Sequence, residues 1–267
     1  MRPAQVSLVF IAALLASPAF AEDAPSGSAP DNSAPDSSII VTALRSPVEQ
    51  SEVSATVAVL DEAAIRAQQP IALTDLLVRT AGISLSRNGG FGTATSLRIR
   101  GADSSQTVMV IDGVRISDPS ATGGGYSFSN LLIDDAERVE ILRGPQSILW
   151  GSDAIGGVVN VLTRRAEKPL EGSMAVEAGT HATVSAQAGI GGSGSLLDWR
   201  LAGSAFTTDG ISARSNGTED DGYRRVSASG TATLKLAPNL SVDLRGYWAD
   251  ARNEFDGTSG DSRAYGL

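Results

Sequence analysis

Residues 137–165 read ERVEILRGPQSILWGSDAIGGVVNVLTRR, and the order of elements in this stretch decides the fold. Charged and apolar side chains alternate through residues 138–142 at the two-residue period of a half-buried strand. Arg143-Gly144-Pro145 then breaks the strand with turn chemistry. A short helix, a glycine pair and a second, buried strand at residues 158–162 follow, closed again by charge. No catalytic base, metal cluster or phosphate loop lies between the two strands. Whatever this stretch does, it does by shape and by placed charge.

Composition narrows the classes around it. The chain has 267 residues, 42% of them apolar, and 29 glycines, which favours β-structure with tight turns over a helical bundle. A net charge of −9 argues against nucleic acid as a partner, because phosphate neutralisation needs clustered Lys and Arg. The absence of cysteine excludes disulfides, thiol catalysis and thiolate metal sites. With one histidine, His181, neither a His-based zinc site nor a nucleophile, base and orienter can be assembled, so no enzyme is expected.

Outward from the opening stretch toward the N-terminus, residues 45–166 read as one α/β unit. Strands are expected at 53–60, 83–86, 96–100 and 108–112. Asp61 is placed to cap a helix running through Arg66 before Pro70, and apolar residues at helical spacing mark a second helix over 73–80, stopped by Gly82. Two glycine-rich connections, at 88–92 and 123–126, are long for such a unit. The second is the expected contact surface, since Tyr126 and Phe128 offer amphipathic area.

Further upstream, residues 1–21 combine Arg2, an apolar run and Ser-Pro-Ala-Phe-Ala, which fits a cleaved export signal. About ten apolar residues are too few to span a bilayer. Residues 22–37, rich in Pro, Ser, Ala and Asp, read as a disordered linker. The linker gives way to a β-prone patch at 38–44. That patch suits strand addition to the edge of a partner's sheet, and equally suits the first strand of the next domain.

Downstream of Arg165 the pattern becomes strict alternation. Strands are expected at 173–178, 182–190, 197–206, 226–236 and 240–248, joined as hairpins, with short turns on one side and longer polar loops on the other. Apolar-out, polar-in alternation with that turn habit belongs to outer-membrane barrels, although a soluble sandwich shows the same alternation. Two motif matches are discounted. Gly189-Ile190-Gly191-Gly192-Ser193-Gly194 has dinucleotide-site spacing but is followed by another alternating strand, and Asn216-Gly217-Thr218 is read as ordinary loop.

Taken in order, Ile39-Ile40-Val41-Thr42-Ala43, Arg98-Ile99-Arg100-Gly101, Val110-Ile111-Asp112-Gly113-Val114-Arg115, Arg138-Val139-Glu140, Arg143-Gly144-Pro145 and the run from Gly151 to Asn160 resemble the TonB-dependent outer-membrane receptors, most closely the cobalamin transporters. The resemblance implies an α+β plug domain at 45–166 followed by the first strands of an antiparallel transmembrane β-barrel at 167–267. Barrels of this plugged kind have twenty-two strands. Five expected strands imply an incomplete barrel, and hence a fragment. It also implies a TonB box at Ile39, Ile40, Val41, Thr42 and Ala43, and the energy-transducing TonB protein as partner. The implied substrate is cobalamin, or else an iron chelate, with no cofactor required and the outer membrane as location. A soluble periplasmic module made of the plug alone is the rival arrangement.

Site residues implied by the resemblance are Ala94, Ser96, Asp103, Ala121 and Thr122 for ligand, and Arg143 as an anchor between plug and barrel wall. Calcium in extracellular loops would draw on Glu219, Asp221 and Asp256. Ser212 and Gly217 at two further positions weaken that site.

Overall fold

In a computed structural model, residues 40–44, 48–53, 55–117, 126–132, 135–213, 220–255 and 258–266 are described. The expected export signal and linker lie outside them. The elements of the N-terminal part, in chain order, are β1 (Ile40–Val41), β2 (Val48–Glu49), β3 (Thr56–Leu60), α1 (Glu62–Gln68), α2 (Leu73–Leu77), β4 (Ile83–Arg87), β5 (Thr95–Ile99), β6 (Thr107–Ile111), β7 (Val114–Ile116), β8 (Ala136–Arg143), α3 (Ser147–Trp150) and β9 (Gly157–Thr163).

Five of these strands form one sheet in the order β3-β8-β9-β6-β7. All its pairs are antiparallel except β6 with β9. Residues 137–165 therefore supply two adjacent inner strands, β8 and β9, and the helix between them. Alternation along those strands puts side chains on two faces, and both faces are covered. Val139, Ile141, Met109 and Val159 join Leu73, Leu76 and Leu77 of α2 on one side. Leu142, Val108, Val110 and Val158 join Trp150 and Ala154 on the other.

Local chemistry sets the boundaries. The Asp61 carboxylate accepts the Ala64 amide at 2.8 Å, capping α1, and Gln69 ends it in the left-handed region. Asp112 and Gly113 have φ of 49° and 84°, the pairing a tight hairpin turn needs, and they reverse β6 into the unexpected short strand β7. One expectation is corrected here. Phe128 is buried in the core and Tyr126 packs edge-on against it at 5.1 Å, so these rings are core rather than contact surface.

The C-terminal part is a sequential antiparallel sheet of β10 (Glu171–Ala178), β11 (Val184–Ser193), β12 (Leu197–Thr208), β13 (Tyr223–Ala237), β14 (Leu240–Phe255) and β15 (Thr258–Gly266). Five strands were expected where six are found. The extension of β14 and the whole of β15 are polar in sequence and lack apolar alternation. Ladder hydrogen bonds hold such a backbone regardless of side-chain polarity, so the pattern hides it.

One face of this sheet is apolar and exposed, carrying Leu197, Leu201, Val226, Leu236, Val242, Leu244 and Trp248. The opposite face buries Arg200, Phe206, Tyr223, Arg225 and Ser227. The expected apolar-out pattern is the observed one. Gly189 to Gly192 lie inside β11, paired antiparallel with β12, which removes the dinucleotide reading. No described helix is long and apolar enough to cross a membrane, which has no bearing on crossing by strands.

Candidate functional site

The β-prone patch at the N-terminal end is docked on the plug sheet. Ile40 pairs with Glu49 and Val41 with Val48 as a two-stranded ribbon. Immediately after it, the amides of Thr42 and Ala43 both donate to Glu140 Oε2, at 2.9 and 2.8 Å. Successive amides cupping one anion make a small nest. The Thr42 hydroxyl adds a bond to the same oxygen at 3.2 Å, and Asn160 Nδ2 adds another at 3.1 Å. Arg138 Nη2 lies 3.0 Å from Glu140 Oε1. Trp150 Nε1 donates to the Ala43 carbonyl at 2.7 Å.

Glu140 is fully buried, and a buried carboxylate persists only when its oxygens are this well supplied. Sequence reasoning missed it for a definable reason. Alternating charge in residues 138–142 reads as a wet face, whereas that face is roofed by α3 and by residues 42–43. The available signal was an acid flanked by Val139 and Ile141 and set opposite Asn160, the one polar residue among Val158, Val159, Val161 and Leu162, in the register. Ile39 lies outside the described residues.

The residues expected at the ligand site do not all come together. Ala94 closes the 88–94 loop by accepting the Asn88 amide, and Ser96 lies next to that loop, paired with Ser86. Asp103 lies beyond the other end of the same β4–β5 hairpin, past Arg100-Gly101. Ala121 and Thr122 lie outside the described residues. Arg143 donates from Nη1 to the Ala81 carbonyl at 2.7 Å, a contact inside the plug.

Asp103 has a local task. Its carboxylate accepts the Ser105 amide at 2.9 Å and the Ser105 hydroxyl at 2.8 Å, capping a single 3-10 turn at Ser104–Gln106. These two bonds, with the positive charge of Arg98, hold its pKa below the ordinary aspartate value. A depressed folded-state pKa stabilises the turn above the unfolded value, near 3.9 for an aspartate, and that contribution is lost as pH falls through the lowered value. Protection of the Ser105 amide from exchange, relative to neighbouring amides, is therefore expected to stay level from neutral pH down to roughly pH 4 and to drop only below it. Asp103→Ala should remove the step. A step that survives the substitution would mean another group controls the turn.

Among the described contacts between plug and wall, a buried one is made by an arginine the sequence did not single out. Arg200 of β12, on the buried face, grips Asp135 with two nitrogens, Nη2 to Oδ1 at 2.6 Å and Nε to Oδ2. Arg200 Nη2 also donates to Ser173 at 3.1 Å, and Nη1 lies 3.8 Å from Glu171. On the plug side Arg164 bonds Glu62 and lies 3.9 Å from Asp135. Gly189 makes room for this guanidinium, since a Cβ there would sit 2.6 Å from Arg200 Nη2.

Elsewhere along the interface Arg245 donates to the Asp112 carbonyl. Tyr223 donates to Asn130 at 3.1 Å, and Asn253 to the Gly92 carbonyl at 3.2 Å. Phe91, at the tip of the 88–94 loop, packs against Phe206 and Tyr223 of the wall at centroid distances of 5.0 and 6.0 Å. Between the α1 side of the plug and β10 to β13 lies a cavity of about 470 Å³, lined by Glu62, Arg66, Glu177, Gln187, Ser204 and Ser229 among others.

Of the expected calcium ligands, Glu219 and Asp256 lie outside the described residues. Asp221 is buried, and its Oδ2 accepts the Ala213 amide, closing its own loop. Among the described residues no group of three or more His, Cys, Asp or Glu is placed to hold a metal ion.

A plug sheet keyed by ion pairs and aromatic contacts to the polar face of an antiparallel sheet, whose other face is apolar, defines the class: a plug domain with part of an outer-membrane-type barrel wall. Residues 49–158 match the TonB-dependent Receptor Plug Domain family. The chain is 32% identical over 223 residues to the vitamin B12 transporter BtuB of Vibrio vulnificus, covering 82% of this chain and 36% of that protein. It is 33% identical over 227 residues to the vitamin B12 transporter BtuB of Photobacterium profundum, covering 83% of this chain and 37% of that one.

Among solved structures, the siderophore receptor PirA from Pseudomonas aeruginosa superposes with a TM-score of 0.58 at 28% identity, over 74% of this chain and 34% of that one. The ferripyoverdine receptor of the Pseudomonas aeruginosa outer membrane, at 16% identity, shares the fold with a TM-score of 0.69, over 85% of this chain and 29% of that one. The chain resembles the TonB-dependent receptors, with their plug domain matched over residues 49–158. It spans a little over one third of the length of the curated relatives it matches.

Proposed function

We propose that the chain works as the plug and first wall strands of an outer-membrane receptor that imports cobalamin, driven by a periplasmic TonB protein that strand-pairs with residues 39–43. No bond in the substrate is made or broken. The observation that carries the reading is the docked segment. A short β-ribbon, tied through Thr42 and Ala43 to inner strand β8 of the plug, gives an external pull a direct mechanical route into the plug sheet. Similarity to BtuB proteins over more than four fifths of the chain supports cobalamin as the cargo. Likeness to PirA keeps an iron chelate as the second reading.

The test is uptake by cells carrying the complete reading frame in a strain without its own cobalamin and siderophore receptors. Labelled cobalamin should accumulate only when TonB is present, and the protein should fractionate with the outer membrane. Uptake of iron chelates without cobalamin would overturn the cargo, and a soluble periplasmic pool would favour a plug-only binding module.

A further inference from the structure

We infer that Glu140 is a latch, a positioning residue whose buried carboxylate sets how often residues 40–43 leave the plug and become available to a partner strand. The inference deepens the proposed function and rests on it only for the identity of the partner.

Donor accounting carries the first step. Five donors converge on this carboxylate: the Thr42 and Ala43 amides, the Thr42 hydroxyl, Asn160 Nδ2 and the Arg138 guanidinium. An ionised carboxylate offers about four lone-pair sites, so its accepting capacity is filled. The donors fall into two groups. Asn160 and Arg138 belong to β9 and β8 and stay with Glu140 whatever the N-terminal segment does. Only the donors of Thr42 and Ala43 can depart.

With residues 42–43 gone, Glu140 keeps two partners and the vacated side opens to water. The carboxylate is then satisfied in both arrangements, which is what a two-state element requires. A charge left buried without partners would have forced a single state instead.

Competition carries the second step. Strand addition recruits backbone amides, and two amides adjoining β1 are already committed to Glu140. A partner strand reaching past Val41 must take them away. The Trp150 bond to the Ala43 carbonyl holds the same turn from the acceptor side, so donor and acceptor of Ala43 are both occupied in the docked arrangement. Partner affinity is then scaled by the fraction of molecules with the latch open.

The experiment uses the complete receptor in detergent micelles, unsubstituted and as Glu140→Gln. Glutamine keeps the shape and the bond from Arg138 or Asn160 but loses the charge and one accepting oxygen. Exchange of the Thr42 and Ala43 amides should accelerate about tenfold, and the purified periplasmic domain of TonB should bind tighter by the same factor. Exchange of Val139 and Val159 in the adjoining ladder should not change, a distinction that a general loosening of the plug would erase.

Unchanged exchange at 42–43 overturns the latch. Faster exchange with unchanged TonB affinity overturns its control of partner access. Faster exchange with no TonB binding by either form supports the latch and counts against TonB as the partner. If the glutamine variant does not fold, Thr42→Val takes its place, since it removes the hydroxyl arm and leaves the buried carboxylate with Asn160 and Arg138. Exchange at Ala43 should then rise roughly threefold, and an unchanged rate overturns the inference.

Discussion

Gly157→Ala should prevent the plug sheet from closing. Gly157 opens β9 at φ +155°, and a Cβ there would sit 2.3 Å from the Leu142 carbonyl oxygen and 3.0 Å from Ile99 Cδ1. The first clash is with backbone of β8, the strand to which β9 is laddered, so no side-chain rotation relieves it. Backbone strain in that region costs about 1–3 kcal/mol. Overpacking a filled core adds about 1–3 kcal/mol more. The sum, on the order of 2–6 kcal/mol, is a large fraction of the 5–15 kcal/mol that holds a typical domain folded.

Amide exchange of β8 and β9 reads the effect without interference from the wall. Protection there should collapse while wall strands stay protected. Gly90→Ala is the control, because a Cβ at Gly90 meets nothing within 4 Å, and it should stay within about 0.5 kcal/mol of the parent. Unaltered protection in Gly157→Ala would mean that β9 starts one residue later than the register gives.

Arg200→Ala should undock the plug rather than unfold it. Arg200 is 3% exposed and Asp135 14% exposed, so the pair is shielded from water. Removing one partner of a buried ion pair costs about 3–5 kcal/mol, because the remaining charge is stranded. Glu171 and Asp135 would be left on either side of a hole with only Arg164, 3.9 Å from Asp135 at its Nε, to answer them. Proteolysis of the plug in the intact receptor should speed up by two orders of magnitude or more, at about 1.4 kcal/mol per tenfold if cleavage follows undocking.

A double-mutant cycle isolates the pair. Asp135→Ala alone should be about as harmful, and the combined variant should be milder than the sum of the two. Additive losses would show that Arg200 acts through packing, not through Asp135.

Much of this architecture is legible in residue order, because periodicity and turn chemistry are local signals. Asp61 marks its helix, Gly82 its turn, and the alternation from residue 197 onward marks a sheet with one apolar face. The functional contacts are less legible, because they are made between segments far apart in sequence. Glu140 reads as solvent-facing until Thr42 and Ala43, nearly a hundred residues upstream, are brought over it. Arg200 reads as a lumen charge until Asp135 arrives from the plug, and Gly189 as part of a nucleotide motif until the guanidinium beside it explains the missing side chain. Phe128 reads as an amphipathic loop residue because nothing near it in the chain announces the core it enters. Polar strand β15 carries no periodic signal at all.

Strand order has a kinetic consequence. Each wall strand ladders onto the one synthesised just before it, so the wall grows by closing short loops. The plug sheet is built the other way. Its β3 meets β8 only after about eighty intervening residues have passed, and β9 must slot between β8 and β6. Loop closure over such separations is entropically slow, and non-local pairing delays folding. The residues that complete the plug are thus the last of it to emerge, and until they do Thr42 and Ala43 lack their partners Glu140 and Trp150. A chain folding for the first time therefore has Thr42 and Ala43 unlatched, and reaches the docked arrangement only when 137–165 has folded.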